Sequence, residues 1–424
     1  MKKNIFLLLS MLFCTFVSAQ VVPLKSILDS IEKNNPLLLS YKSKINAANA
    51  LVPSANAWMP PSVGLEFDKN PYSFNNFYNG TVRFSLMQEF PNKQLNKAEG
   101  NYLSSLSQIQ LNEFGYEKNK LFSEAKSAYF GIYIAQKDSE IINQDIRILN
   151  SMIDLAEKQM ATGSGDMASI YMLKAKLGDK ELQLVRDASD IKNNLVNLNF
   201  LMNVDVDRTF SIDTNNILKN YRNLIPLMKD SIEHRRSDIM QMNAIINSMT
   251  LNQTMMSLQG RPTFGLKFEH FEVFEKQVMY TATGPMPMET RMPNMFSIMG
   301  TMTIPFASWS ARGYKSNVNA MKYNIIADEQ IKQNMVNMTY QKIKMLSINM
   351  NSEYLQTDNY SKKIIPAYQK SVEANLLAYG QNTGSLSMVL LAYNDLQMAQ
   401  LEYLNHLQLL LNVQVDYEKE MQMQ

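Results

Sequence analysis

The sequence predicts a mixed α and membrane-β protein, each chain built from two repeats of helix, strand, strand, long helix and helix. Three observations predict it: a strand hairpin with two unlike faces, a very long heptad helix, and a second copy of both about 200 residues further on.

The hairpin spans Ser62 to Phe90, with strands over about 62–70 and 81–90. Val63, Leu65 and Phe67 alternate with Gly64, Glu66 and Asp68, and Val82, Phe84 and Leu86 alternate with Arg83, Ser85 and Met87. Period-2 alternation is the strand signal, and PYSFNNFYNG between the runs is turn chemistry. A strand of about 10 residues suits a membrane barrel wall, apolar toward lipid and polar toward a wet lumen. Alone, the stretch fits a half-buried hairpin in a soluble sheet better, since such hairpins are the commoner kind.

Taken in order, the 424-residue chain opens MKKNIFLLLSMLFCTFVSAQ. Lys2 and Lys3, the apolar run to Val17, and Val17-Ser18-Ala19 read as a signal peptide over residues 1–19, with Gln20 first in the mature chain. Cys14 is the only cysteine, and the bulky Phe13 before it argues against lipidation. Losing Lys2 and Lys3 takes the formal charge from +2 to zero, without the basic excess of a nucleic-acid binder. No later run reaches the roughly 18 apolar residues of a membrane helix, so membrane insertion requires a barrel.

Residues 23–58 carry a helical pattern, with Asn35-Pro36 as a helix start. After Pro91, Asn92 to about Ala161 contains no proline. Within it Ala125, Ala128, Ile132, Ala135, Ser139, Ile142, Ile146, Leu149, Ile153, Ala156 and Met160 keep a strict 3-4 spacing, the seam of a left-handed coiled coil. Seventy residues at 1.5 Å each make a helix on the order of 100 Å long. TGSGD (162–166) ends it, and a return helix to about 202 completes a helical hairpin. Residues 203–222 read as an irregular junction, closing a first repeat over 20–222.

The second repeat, 223–424, restates this plan. Pro61 and Gly64 recur as Pro262 and Gly265, each 201 positions on, and Pro-x-x-Gly-Leu-x-Phe stands in both copies. Strands are expected over about 262–272 and 295–306, and a helical hairpin over about 311–417, with Pro366 kinking or restarting it. Each chain thus offers four strands, and four cannot close a barrel, which needs about 8. Open edges are not tolerated in lipid, so several copies must share one barrel; three would supply 12 strands.

The paired halves, Arg236-Ser237-Asp238, the Pro-x-x-Gly-Leu strand entries, Ile304-Pro305-Phe306 with Trp309, and the two Thr-Gly helix tips together resemble the TolC-type outer-membrane efflux proteins over essentially the whole mature length. That resemblance implies a homotrimer forming a 12-stranded outer-membrane β-barrel on a periplasmic α-helical coiled-coil barrel. It implies the outer membrane of a Gram-negative bacterium, a periplasmic adaptor protein at the tips, and an inner-membrane efflux pump of the RND type. Gly163, Asp166, Gly384, Ser385, Ser387, Leu390, Tyr393 and Asp395 fall at the tip and entrance. Where family members carry an aromatic before the tip glycine, this chain has Met160 and Gln381. Where some carry an aspartate ring, it has Leu390 and Tyr393, so the acidic ring does not transfer. Glu66, Asp68, Arg83, Glu89, Lys267 and Glu269 are the expected lumen residues.

His234, His270 and His406 share no ligand spacing, and no serine/histidine/acid set or phosphate-cradling glycine loop is present. The chain is therefore expected to do no chemistry and to hold no cofactor. Seven of the 31 methionines lie between Met279 and Met302. Thioethers suit Cu(I) or Ag(I), which makes Met286, Met288, Met292 and Met295 candidate contacts for a copper- or silver-directed duct. Adaptable apolar filling explains them too. Tyr72, Phe74, Phe77, Tyr78 and Tyr280 are candidates for an outer aromatic girdle. A secreted coiled-coil structural protein is the rival class; it accounts for the heptads but not for two matched two-faced hairpins.

Overall fold

The computed structural model describes residues 21–68, 81–163, 165–215, 217–218, 229–291 and 293–423. In chain order the elements are β1 (Val21–Val22), α1 (Leu24–Asn34), α2 (Pro36–Leu51), a 3-10 turn (Val52–Asn56), β2 (Ser62–Asp68) and β3 (Thr81–Phe90). Then come α3 (Lys93–Ala161), α4 (Met167–Met202), β4 (Ser211–Ile212), α5 (Lys229–Arg235), α6 (Ser237–Leu258), β5 (Phe264–Thr281), β6 (Gly284–Arg291) and β7 (Met295–Met302). The chain closes with α7 (Ala311–Asn359), a π turn (Tyr360–Ile364), α8 (Ile365–Gly380) and α9 (Leu386–Met421).

Two compact units share these elements, and each sequence repeat contributes to both. The helical unit comprises residues through Lys42, Asn112–Met240 and Asn334–Gln424. Along α3 the heptad seam is buried at Ala125, Ala128, Ile132, Ala135, Ile142, Leu149, Ile153 and Ala156. Ser139 and Ile146 are half-buried, and Met160 at the C-terminal end is 42% exposed, so the seam stops one position short of its expected end. Small residues at the seam bring α3 close to its neighbours, and Leu195, Leu198, Leu407 and Leu411 of α4 and α9 complete that core.

Two features of this unit lay outside the sequence expectation. The 203–222 junction contains β4, which pairs in parallel with β1, Val21 opposite Ser211 and Val22 opposite Ile212. Pro366 restarts the helix as expected, standing in the first turn of α8; what the sequence did not show is the π turn that precedes it. Its missing N–H and ring are absorbed by the π turn Tyr360–Ile364 just before it, where the wider turn relieves the clash a proline makes one turn back. The Arg236-Ser237-Asp238 motif also gains a physical reason. Arg236 Nε donates to Asp238 Oδ1 (2.9 Å) and its Nη2 pairs with Asp238 Oδ2 (2.6 Å), a two-pronged contact, while Nη1 pairs with Glu420 of α9. Lys342 Nζ of α7 meets the same Glu420 at 2.6 Å. Burial opposes the charge on Arg236, but the two carboxylates outweigh it and its pKa is raised. One arginine thereby ties the α5–α6 junction to the C-terminal helix.

The sheet-bearing unit comprises Ser43–Leu111 and Gln241–Gln333. Its ladder runs β2-β3-β5 with β7 on the far side of β5, all antiparallel. Glu66 stands opposite Arg83, Arg83 opposite Phe271, and Glu269 opposite Ser297. β5 does not stop near 272. It continues to Thr281 and turns into β6, which pairs with it from Phe274↔Arg291 to Thr281↔Gly284, so the methionine-rich segment is largely a second hairpin.

Candidate functional site

Register alone divides the sheet into two faces. Residues directly opposite each other point the same way, so Val63, Leu65, Phe67, Phe84, Leu86, Phe90, Phe264, Leu266, Phe268, Phe296, Ile298 and Met302 share one face. Each of them is exposed, from 38% at Phe90 to 69% at Phe296. Uncovered apolar surface on this scale across four strands, broken only at Gln88, His270 and Glu272, marks a surface meant for a membrane or a partner.

The opposite face carries charge. Arg83 of β3 reaches Glu66 (3.1 Å) and Asp68 (3.5 Å) of β2, and its guanidinium lies over the Phe271 ring at 5.2 Å. On β5, Lys267 meets Glu269 at 2.7 Å, and Ser297 of β7 donates to Glu269 at 3.3 Å. Glu89 is exposed opposite Gly265. All six expected lumen residues therefore stand on one face, and five of them are ion-paired there. The repeated glycines have a steric cause on this face. A Cβ on Gly64 would sit 2.6 Å from Ser85 Oγ, and one on Gly265 would sit 2.5 Å from Thr301 Oγ1, so each makes room for a hydroxyl on the next strand.

The two helix tips lie side by side in the helical unit. Gly163 adopts φ +79°, and a Cβ on Gly165 would sit 2.4 Å from the Met160 nitrogen, so the tight turn requires both glycines. Asp166 caps α4, accepting from the Ala168 and Ser169 amides at 3.1 and 3.2 Å, which holds its carboxyl below the usual range. At the second tip Asn382 takes φ 55°, and the Thr383 and Gly384 amides both donate to the Ala378 carbonyl. Gln159 of α3 clamps one tip to the other, its Nε2 donating to the Tyr379 carbonyl (2.6 Å) and to Asn382 Oδ1 (3.0 Å). Nothing in the sequence marked Gln159, since a glutamine on a helix carries no local signal.

Ser385 occupies the N-cap of α9 but makes no side-chain capping bond, and Ser387 is exposed. Leu390 is half-buried against the tip core, whereas Tyr393 is fully buried within it and accepts from Gln397 Nε2 at 2.8 Å. Tyr393 thus presents no surface to an entrance in this protomer. Asp395 is half-buried beside Asn394, whose Oδ1 receives Lys176 Nζ at 3.2 Å.

Between α3, α4 and α9 lies a cavity of about 760 Å³ that the sequence did not suggest. Asp138, Asp145, Asp187 and Lys180 line it, with Asp145 fully buried and its Oδ2 2.8 Å from Lys180 Nζ. Burial, and then Asp187 beside it, push the Asp138 carboxyl up to about 6. Burial likewise raises Asp187, whose Oδ2 accepts from Ser139 Oγ at 2.9 Å.

Of the four candidate methionines, Met286 and Met295 can be compared, and they stand apart. Met286 stands opposite Met279 and Met295 opposite Phe271, which sets them about 26 Å apart along β5 at roughly 3.3 Å per residue. Met286 and Met295 are both exposed; Met292 and the girdle candidates Tyr72, Phe74, Phe77 and Tyr78 lie outside the described residues. His406 is taken up by Glu353 (2.7 Å) and by stacking on Tyr360. Among the described residues no group of three or more His, Cys, Asp or Glu is placed to hold a metal ion.

No protein-family model and no curated protein sequence matches the chain. Solved structures do. The chain is similar to CusC, whose crystal structures concern folding and transmembrane channel formation, at 13% identity and TM-score 0.76, covering 94% of this chain and 91% of that one. It is similar to the outer-membrane channel OprN at 13% identity and TM-score 0.74, covering 94% and 89%. The CmeC outer membrane channel of Campylobacter jejuni matches at 17% identity and TM-score 0.71, covering 94% and 85%. At such identities the likeness establishes the fold, which is that of the TolC-type outer-membrane channels, in agreement with the fold class read from the repeats.

Proposed function

We propose, from the fold shared with these outer-membrane channels, that the chain is the outer-membrane exit duct of a tripartite efflux system. It conducts substrate passively from a periplasmic adaptor and an inner-membrane pump to the outside and does no chemistry. The observation that carries this reading is the exposed, two-faced sheet with a free edge on either side: β2 pairs only with β3, and β7 only with β5, among the described residues. In lipid those edges must be satisfied, and joining β2 of one copy to β7 of the next closes three copies into a 12-stranded barrel. Glu66, Asp68, Arg83, Glu89, Lys267 and Glu269 then face the lumen. The paired tips, with Gly163, Asp166, Gly384, Ser385 and Ser387 on or next to their turns, face the adaptor. Any gate is a displacement of the tip helices that adaptor binding favours.

Fractionation tests the reading directly. The full-length protein is expected in the outer membrane as a heat-modifiable trimer that conducts ions across a planar bilayer; a soluble monomer without conductance sinks it. For substrate, a deletion strain retaining its pump partners is compared for dye and detergent tolerance and for copper and silver tolerance. The spacing of Met286 and Met295 favours the organic range, so loss of metal tolerance alone would reverse that preference.

A further inference from the structure

Where β3 passes into α3, the sheet-bearing unit holds a cavity of about 800 Å³. One wall is a single face of the first turns of α3, with Lys93, Asn96, Lys97 and Gly100 at helical spacing. The other is aromatic: Trp58 and Phe90 meet edge to face with centroids 5.6 Å apart. Gln88 Nε2 fixes this wall by donating to the Met59 carbonyl at 2.9 Å. A Cβ on Gly100 would meet only Ala55, at 3.7 Å, so the glycine leaves the space open.

Three features point to one kind of ligand. Phe90 is the last residue of the exposed apolar face of β3, so the cavity opens at the rim of that face. The chain has two tryptophans, Trp58 just before β2 and Trp309 just after β7, and both are exposed at this same end of the sheet, the position indole rings take at a membrane–water boundary. Lys93 and Lys97 are exposed and make no ion pair among the described residues. Two unpaired ammonium groups and an amide beside an aromatic wall match a phosphate with acyl chains attached.

We propose that this pocket seats the headgroup of an anionic phospholipid from the leaflet nearest the helices. The phosphate lies between Lys93, Lys97 and Asn96, and the chains run past Trp58 and Phe90 onto the apolar face. The proposal rests on the membrane reading above.

Native mass spectrometry of the full-length trimer in mild detergent tests it, with phosphatidylglycerol and phosphatidylcholine of equal chain length as probes. About three phosphatidylglycerols per trimer are expected, held roughly tenfold or more tighter than phosphatidylcholine. The double variant Lys93→Gln/Lys97→Gln is expected to lose that preference while phosphatidylcholine binding stays unchanged. Gly100→Leu, which fills the cavity without touching a charge, is expected to weaken both. Unchanged preference in the double variant overturns the proposal, as does displacement of the lipid by inorganic phosphate at equal concentration. A bilayer-embedded trimer indifferent to headgroup charge defeats the pocket alone; a protein that enters no bilayer defeats the channel reading as well.

Discussion

Asp138 shares a cavity with Asp145, Asp187, Asp190, Lys180 and Arg186, and its chemistry is set by that company. Its carboxyl is raised to about 6 by burial and by Asp187, above the value it has in an unfolded chain. The sign follows from linkage. A raised folded-state value means the folded protein holds the proton more tightly, so the contribution is full below the unfolded value and is lost as pH rises through about 6. At pH 8 an ionised, half-buried Asp138 therefore burdens the fold. Asp138→Asn keeps a donor toward Asp187 without the charge. It is expected to stabilise the protein by about 1 kcal/mol at pH 8, after discounting for solvent screening, and to have little effect near pH 4. Denaturation midpoints followed by circular dichroism at the two pH values check this, and equal shifts at both would locate the effect elsewhere.

At the scale of elements, α3 shows how small residues set helix spacing. Ala125 and Ala128 are at most 3% exposed, so the neighbouring helices pack against bare Cβ atoms. Ala125→Leu inserts three carbons where there is no void and is expected to cost about 1–3 kcal/mol and to lower trimer yield. An unaltered yield on native gels would show that the seam tolerates a wider gap. This seam was legible because its 3-4 spacing persists over many turns, and the four strands of the main ladder were legible because alternation separates two chemically unlike faces. Elements without such contrast were missed. In β6, Pro285 and Pro287 read as breakers, yet on a strand paired on one side only both can turn their nitrogens away from β5. β1 and β4 are two residues each, too short to show any period. The lumen face could be read position by position, but that Arg83 serves Glu66 and Asp68 together depends on register, which no single strand encodes. Tyr393 was singled out by its match to a family position, and a match in sequence does not say which way the helix turns the side chain; here it is buried in the tip core.

For the whole molecule, the decisive property is that the folded chain is unfinished. Its apolar sheet face is left for lipid, and its two sheet edges, unpaired among the described residues, are left for other copies; the edges are unlike, one being β2 and the other β7. Unlike edges join head to tail, and a head-to-tail ring is complete only when every joint is made. Genetic dominance follows. A subunit whose β2 edge is spoiled, for instance by Leu65→Pro, still offers a sound β7 edge and so enters rings it cannot close. Produced in equal amount with the parent chain, it would leave roughly one ring in eight free of the variant if copies mix at random into threes. The expected phenotype is export reduced to roughly one-eighth, about a quarter of what the halving of a single gene's output would leave, measurable as dye accumulation in cells carrying both alleles. A loss of only one half would mean that the spoiled subunit is sorted out before assembly, and that the edge is inspected before it is joined.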